Sequence, residues 1–298
     1  MPTATTMKRE RITHKSKDEW LAARTQDITS TEISCLFDGN PYKTRFELWH
    51  QKKLGDVVSI PDTDRMKWGR RLEDAIARGI AEDEGWDVRA WNTYERIPEL
   101  RLGSSFDFRI LNNPKAVLEI KCIDGWVYKL AWLDDGGELE APPHMEFQLQ
   151  HEMLVSGYDR AFLYALVGGN EIIKIEREAN PVMQERIIEE AQRFWDSIAA
   201  GEEPTPDYTR DGGNIRRKYS TTNPDTTLNA AGDDRFAQLC RADIEMSATA
   251  KAAKDTRDAC RAEILDIIGH NEYAVTDGYR VSAKLTKAGR RSLLIKEN

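Results

Sequence analysis

The chain has 298 residues, a formal net charge of −8, 40% hydrophobic residues and 32% charged residues. That length supports one full core and an accessory piece, the acidic balance excludes a strongly basic nucleic-acid-coating protein, and no apolar run reaches the length of a membrane span. The polar start Met1–Lys17 lacks the apolar stretch of a secretory signal, which predicts a cytoplasmic protein; Cys35, Cys122, Cys240 and Cys260 lack C-x-x-C spacing, which predicts reduced, mostly buried thiols rather than zinc or iron–sulfur ligands.

Taken in chain order, residues 1–17 read as a disordered N-terminus. A short helix follows over Lys17–Ala23, and a second starts at Asp27–Ile33, with Thr or Ser capping its first turn and Ile33, Leu36 and Phe37 forming its apolar face. Asp38-Gly39-Asn40-Pro41 stops it, and Thr44 caps a helix over Phe46–Lys53. Asp64–Glu84 is amphipathic: Trp68, Leu72, Ile76 and Ile80 recur every four residues, with Glu73 on the flank of that stripe. Strands are predicted near Val88–Trp91, Arg101–Ile110 and Ala116–Ile123, with a turn at Asn112-Asn113-Pro114 between the last two. A loop over Leu133–Pro143, a helix over Pro143–Ser156, a hairpin of Ala161–Val167 and Glu171–Glu176, and a helix over Pro181–Ala200 complete a unit spanning 18–200. Residues 201–227, rich in Pro and Gly, read as a linker. Residues 228–298 read as an accessory region: a long helix to Ile268, then a small β-meander.

The chemistry concentrates in the predicted hairpin. Glu119 and Lys121 lie two apart on one strand and share a face, Leu118, Ile120 and Cys122 take the other, and Asp107 sits on the partner strand. Adjacent carboxylates repel unless a cation neutralises them, and a neighbouring lysine can hold a hydroxide or an oxyanion. This is equipment for metal-assisted phosphodiester hydrolysis, and a cross-strand salt bridge on a solvated face fits the hairpin equally well. Glu73 favours the metal: an upstream acid is what a second ion needs, two ions about 4 Å apart bracketing the attacking and leaving oxygens. The Ile120 carbonyl suits a Mg²⁺ shell, and Lys121 suits the orientation or deprotonation of the attacking water. A local basic groove could draw on Arg24, Lys43, Arg45, Lys52, Lys53, Arg70 and Arg71, each of which is otherwise an ordinary surface charge.

Five short stretches carry a resemblance in the same order: Trp20-Leu21-Ala22-Ala23-Arg24 with Ile28-Thr29-Ser30-Thr31-Glu32-Ile33 and Asn40-Pro41-Tyr42-Lys43-Thr44; Trp68–Glu73; Ser105-Phe106-Asp107; Leu118–Cys122; and Gln148–Met153. Over roughly residues 18–200 the chain resembles the YqaJ-type viral recombinase (lambda-exonuclease) family. The resemblance implies a restriction-endonuclease-like α/β fold, a mixed central sheet flanked by helices. It also implies an enzyme that degrades linear duplex DNA from 5′ ends, leaving 3′ single strands for phage-type recombination in the host cytoplasm. Residue by residue it implies Asp107, Glu119 and the Ile120 carbonyl as ligands to Mg²⁺ (or Mn²⁺), Glu73 serving a second ion, Lys121 positioning the nucleophile, and Gln148 touching the water or the scissile phosphate. Arg24, Thr29, Thr31 and Ser105 are implied at the terminal 5′-phosphate, for which a guanidinium fork is apt. A single-strand annealing protein and a homo-oligomer are the implied partners, with no membrane. Thr31 stands where serine is common and Phe106 where proline is common.

Plainer roles stand beside these: Gln148 as a polar residue of a core helix, Thr29 and Thr31 as caps, His151 as structural, and Trp20, Trp49 and Trp68 as core. An endonuclease or junction resolvase on the same fold, and a DNA-holding module that does not cut, are the competing functions. Cysteine spacing disfavours a cluster-bearing nuclease. The tail from Tyr279 carries Arg280, Lys284, Lys287, Arg290, Arg291 and Lys296 against one acid, Glu297, and reads equally as a DNA- or partner-docking face and as a solvated meander.

Overall fold

The computed structural model describes residues 7–55, 57, 61–112 and 115–297. They form two compact units, one ending at Thr221 and one starting at Thr222.

The first unit begins with β1 (Glu10–Ile12), α1 (Lys17–Thr25), β2 (Ile28–Thr29), a 3₁₀ turn at Ile33–Phe37, α2 (Arg45–Leu54) and α3 (Asp64–Glu84). Ser16, Thr44 and Thr63 start the three helices, each side chain accepting from the N–H three residues on. Then come β3 (Val88–Ala90), β4 (Tyr94–Ile97), β5 (Leu102–Ser105), β6 (Phe108–Ile110), β7 (Ala116–Ile123), α4 (Gly125–Ala131), α5 (Pro143–Ser156), β8 (Arg160–Val167), β9 (Glu171–Glu178), α6 (Pro181–Ala200) and α7 (Gly212–Lys218). One sheet has the order β3-β6-β7-β8-β9 and the other β1-β4-β5-β2. The first is mixed: β7 and β8 are parallel, joined by a crossover through α4 and α5, and its other pairs are antiparallel.

The β-strand period sets the two cores. Ala116, Leu118 and Ile120 of β7 pack with Ala77 and Ile80 of α3 on one face. Val117 faces the larger core, with Leu149 and Met153 of α5. Helix α5 touches β7 and β8 on one side and β4 and β5 on the other, so its residues from Gln148 to Val155 are all buried. A helix buried all round ordinarily carries apolar residues, yet α5 carries Gln148, Gln150, His151 and Glu152 there.

Several expectations from the sequence are corrected. The predicted strand Arg101–Ile110 breaks at Phe106–Asp107 into β5 and β6, which belong to different sheets, because Phe106 turns into the core against Trp91 at 4.2 Å. Residues 7–12 of the supposedly disordered terminus are ordered: β1 pairs antiparallel with β4, and Arg9 reaches the carbonyls of Val155 and Leu154. Met1–Thr6, and Asn113-Pro114 of the predicted turn, lie outside the described residues. The Asp27–Ile33 segment is not a capped helix; Thr29 pairs with Gly103 in β2–β5, and the 3₁₀ turn has no side-chain cap. Trp68 is 57% exposed, since α3 presents only Ala77 and Ile80 fully to the sheet, while Trp49 is buried as expected. Within the 201–227 stretch, residues 207–218 pack on the first unit: Asp211 is fully buried and accepts from Thr44 Oγ1 at 2.6 Å, and Arg210 donates to the Asn40 carbonyl.

The second unit holds α8 (Asp234–Ile268) and the antiparallel sheet β10 (Tyr273–Thr276), β11 (Tyr279–Leu285) and β12 (Arg291–Glu297). Its small core is Ile268, Val281, Ala283 and Leu293. Cys240 and Cys260 on α8 are exposed, correcting the expectation of buried thiols, because only the C-terminal end of that helix is covered. Among the described residues, no helix is long and apolar enough to cross a membrane.

Gly103 couples the smaller sheet to α5. A Cβ there would lie 2.0 Å from Tyr94 Oη and 2.9 Å from Asp27 Oδ2, inside the buried set in which Asp27 accepts from Tyr94 Oη (3.0 Å) and Arg96 Nη2 (2.6 Å). Gly103→Ala is expected to cost about 1–3 kcal/mol, read as a lower urea midpoint at unchanged slope. An unchanged midpoint would show that Tyr94 swings aside freely.

Candidate active site

The break between β5 and β6 builds the site. Phe108 pairs with Leu118, so Asp107, one step beyond, falls opposite Glu119 at the open end of the ladder. One Asp107 oxygen, Oδ2, accepts from the Ile120 N–H at 2.9 Å, which ties the carboxylate to β7. Glu119 and Lys121 share the face turned toward α5 and are bonded to each other. The predicted division of β7 is thus present: Leu118 and Ile120 pack toward α3, and the charged pair faces away.

Gln148 comes from α5. Its Nε2 donates to Glu119 Oε1 at 2.7 Å and to Glu152 Oε1 at 2.9 Å. Gln148 Oε1 and Glu152 Oε2 are buried and have no hydrogen-bond partner among the described residues. Glu119 and Gln148 are each 3% exposed and Glu152 is fully buried, so two carboxyl groups and the amide between them sit where water scarcely enters. Burial, then the neighbouring Asp107, raises Glu119 to about 7. Burial, then Glu119, raises Glu152 well above the carboxylate range. Lys121 moves the other way: burial disfavours its charge, but Glu119 and Asp107 outweigh burial and hold the ammonium charged. Glu73, half-buried on α3, is raised by burial and by Asp107 and lowered by Lys121 and Arg70, so it belongs to the same electrostatic cluster.

Glu152 is the residue that sequence reasoning passed over. Its signal was present, four residues after Gln148 and hence on the same helical face, but nothing in the sequence said that this face is buried. His151 is structural, as its plainer role had it: it is fully buried, it contacts the Gly103 carbonyl at 3.1 Å, and burial lowers it to about 4.

The second constellation lines a cavity of about 760 Å³ bordered by Lys17, Trp20, Arg24, Thr31, Lys43, Lys52 and Arg70. Arg24 stacks on Trp20, 4.4 Å from the ring centroid, and its Nη2 lies 3.4 Å from the hydroxyls of both Thr29 and Thr31. Ser105 joins indirectly, accepting from Trp20 Nε1 at 2.8 Å. Beneath them Lys52 pairs with Glu32 at 2.8 Å and donates to the Arg24 carbonyl at 2.9 Å. Burial alone would raise Glu32, yet Lys52, Lys43 and Arg24 hold it at about 2. Arg70 links the two places, lining the cavity while also lowering Glu73.

Asp107, Glu119 and Glu73 offer carboxylate oxygens, the preference of a hard divalent cation. Among the described residues no three Asp, Glu, His or Cys side chains gather as a metal cage by themselves. Any ion here would therefore also need the Ile120 carbonyl, water or substrate oxygens.

Comparison with known proteins agrees with this architecture. Residues 19–159 match the YqaJ-like viral recombinase domain. The uncharacterized protein YqaJ of Bacillus subtilis (strain 168) is 28% identical over 275 residues, covering 90% of this chain and 83% of the relative. An alkaline exonuclease from Laribacter hongkongensis superposes with a TM-score of 0.51 at 16% identity, over 68% of this chain and 98% of that one. The mixed sheet flanked by helices is thus the fold of that exonuclease.

Proposed function

We propose that the chain is a Mg²⁺-dependent 5′→3′ exonuclease that acts on linear duplex DNA and leaves 3′ single strands for recombination. The observation that carries this reading is the meeting of Asp107, Glu119 and Lys121 at the open end of β6–β7, with a cavity lined by Arg24, Thr31, Lys43 and Lys52 nearby in the same unit. An annealing protein to take up the product, and assembly into a homo-oligomer, complete the proposal.

The residues present fit a divalent ion. Asp107, Glu119 and the Ile120 carbonyl would hold it, with Glu73 directed to a second, and burial together with the neighbouring Asp107 makes the ionised form of Glu119 costly without a cation. A bound divalent ion supplies charge neutralisation at the scissile phosphate and a more acidic water. Lys121 would orient the attacking water. Its ammonium is held charged by Glu119 and Asp107, the carboxylates that an ion would share. Gln148 spends both amide hydrogens on Glu119 and Glu152, so its Oε1 remains an acceptor and suits a water better than a phosphate oxygen. Glu152 fixes that orientation. Arg24 and the Thr31 hydroxyl hold a terminal phosphate, while the buried Thr29 hydroxyl donates to Glu32 Oε2 at 3.0 Å and accepts from Arg24, and Ser105 sets the Trp20 ring on which Arg24 lies.

The decisive assay uses end-labelled linear duplex with 5′-phosphate or 5′-hydroxyl ends, in Mg²⁺ or in EDTA. Mg²⁺-dependent loss of the phosphorylated 5′ strand is expected, with closed circular duplex intact; cleavage of circles would favour the endonuclease alternative. Arg24→Ala should erase most of the preference for phosphorylated ends, a change of roughly 10- to 100-fold. Equal attack by the wild type on both end types would refute the phosphate assignment.

Lys121→Ala should reduce the rate by about 10²–10⁴-fold. Glu152→Ala should lower kcat roughly tenfold with little change in KM, whereas Glu152→Gln, which still accepts from Gln148, should retain most activity. Equal damage from both Glu152 variants would reduce Glu152 to a packing residue.

Glu119 also links pH to stability. Its folded pKa of about 7 lies above the ordinary value of 4.5, so its stabilising contribution is complete below about 4.5 and is lost as pH rises through about 7. In EDTA the melting temperature should fall across that window. Mg²⁺ should restore more of it at about pH 8 than at about pH 5, and Glu119→Gln should flatten the difference. Equal Mg²⁺ stabilisation at both pH values would place the ion elsewhere.

A further inference from the structure

The second unit presents a surface that the active site does not use. On its three-stranded sheet, Val281, Ala283 and Leu293 face α8. The register places the opposite face in rows. Val275, Arg280 and Lys296 form one row, Tyr273, Ser282 and Leu294 the next, and Lys284 with Ser292 the third. Adjacent rows are two residues apart along each strand, about 7 Å. Tyr273, Val275 and Leu294 are each more than half exposed, and Lys284 Nζ lies 5.0 Å from the Tyr273 ring centroid. Lys287 and Arg290 continue the positive charge in the turn between β11 and β12. No acidic side chain stands in these rows.

Two features argue against an ordinary solvated face. Arg280 and Lys296 are directly opposed across β11–β12, and like charges in that position are destabilising where a carboxylate would have been favourable. An aromatic ring and a leucine occupy the row between the cationic ones, where plain solvation asks for polar residues. Arg291 is different: it donates to the carbonyls of Gly269, Asn271 and Ala283, closing the α8 C-terminus, and is not part of the face.

We propose that the outer face of the β10–β12 sheet binds single-stranded DNA, with a base stacked on Tyr273 beside Leu294 and phosphates at Arg280, Lys284 and Lys296. Charge complementarity selects a polyanion. The exposed ring selects a single strand, because only unstacked bases offer a face to a side chain lying on a sheet, and basic grooves with interleaved aromatics are the general solution for such strands. Binding does not itself rest on the nuclease reading; that reading supplies the origin of the strand.

The test uses the full-length protein in EDTA, with a fluorescent oligothymidine of about 20 nucleotides bearing a 5′-hydroxyl, so that the Arg24 cavity has no terminal phosphate to hold, and a duplex of equal length. Anisotropy titrations at several salt concentrations read affinity and salt slope. The triple variant Arg280→Ser, Lys284→Ser, Lys296→Ser should bind the single strand at least tenfold more weakly. Its log–log salt slope should be shallower by about 2, from three contacts of about 0.7 each. Tyr273→Ala should weaken single-strand binding about 5- to 100-fold, and Tyr273→Phe should keep it, which guards against a mere folding defect. Unchanged affinity in the triple variant overturns the inference. So does a loss equal for duplex and single strand, or a normal affinity in Tyr273→Ala, and so does a wild-type face that captures an acidic peptide in preference to the oligonucleotide. A wild type that cuts no DNA, but whose sheet variants lose the single strand, leaves this inference standing while the nuclease reading falls; a cutting enzyme with unaffected variants does the reverse.

Discussion

The first unit is organised around a concentration of carboxyl groups whose charges oppose one another. Asp107, Glu119 and Glu152 are drawn together by β6, β7 and α5, with Glu73 coupled to them from α3, and one ammonium, Lys121, stands among them. Mutual repulsion inside a region of low polarity costs far more than on a surface, so the cluster persists only with protons on some members or a cation among them. The rest of the local structure keeps these groups where they repel. The Ile120 N–H fixes Asp107, the Gln148 amide bridges Glu119 and Glu152, and the core of Leu118 and Ile120 against α3 fixes the strand that carries them. Packing energy of the two cores sustains a site that would relax if its elements were free.

Helix α5 is where that support is transmitted. Lying between both sheets, it contributes Leu149, Met153 and Leu154 to the larger core and points Gln148 and Glu152 at β7 while His151 meets the Gly103 carbonyl of β5. Gly103 pairs with Thr29, so the same helix that orders the carboxylates also fixes the strand from which the Arg24 cavity is built. The cavity has its own buried strut, the Lys52–Glu32 pair. Removing either member would leave an uncompensated charge under Arg24, and Lys52 also anchors the Arg24 backbone directly. Electrostatic groups in both places are therefore positioned by elements that meet at one helix.

What the sequence made legible followed from period and spacing. The alternation in Val117–Cys122 assigned Glu119 and Lys121 to one face correctly, and the helical stripe of Ile76 and Ile80 placed α3 against the sheet. Local signals failed where tertiary contact decided. Nothing local breaks Arg101–Ile110 in two; the break comes from Phe106 finding Trp91, and it is this break that frees Asp107 to face Glu119. β1 and β2 are too short to announce themselves, and they exist because β4 and β5 offer unpaired edges. The Pro- and Gly-rich stretch after Gly201 lacks apolar residues because it docks through polar groups, Asp211 with Thr44 and Arg210 with Asn40, and composition cannot distinguish that from free chain. Glu152 escaped notice for a related reason: a glutamate in a helix reads as surface until tertiary packing turns it toward β7.

An acidic chain and the proposed polyanionic ligand are reconciled by the distribution of charge. The excess of −8 belongs to the whole molecule, but at physiological salt a charge is felt over only about 8 Å. Within that distance the Arg24 cavity is bordered by Lys17, Lys43, Lys52 and Arg70, with Glu32 and Asp62 as its acids, and the outer face of the β10–β12 sheet carries no carboxylate in its rows. Glu32 is already satisfied by Lys52 and Lys43, and Asp62 by Arg70, so among the described residues Arg24 and Lys17 are the lining cations to which no carboxylate is hydrogen-bonded. Acid elsewhere then acts against non-specific adhesion to a duplex, confining attraction to the few places where geometry as well as charge is right. On the proposed reading that confinement is an advantage: an enzyme that must engage a chain end gains nothing from holding the middle of the duplex.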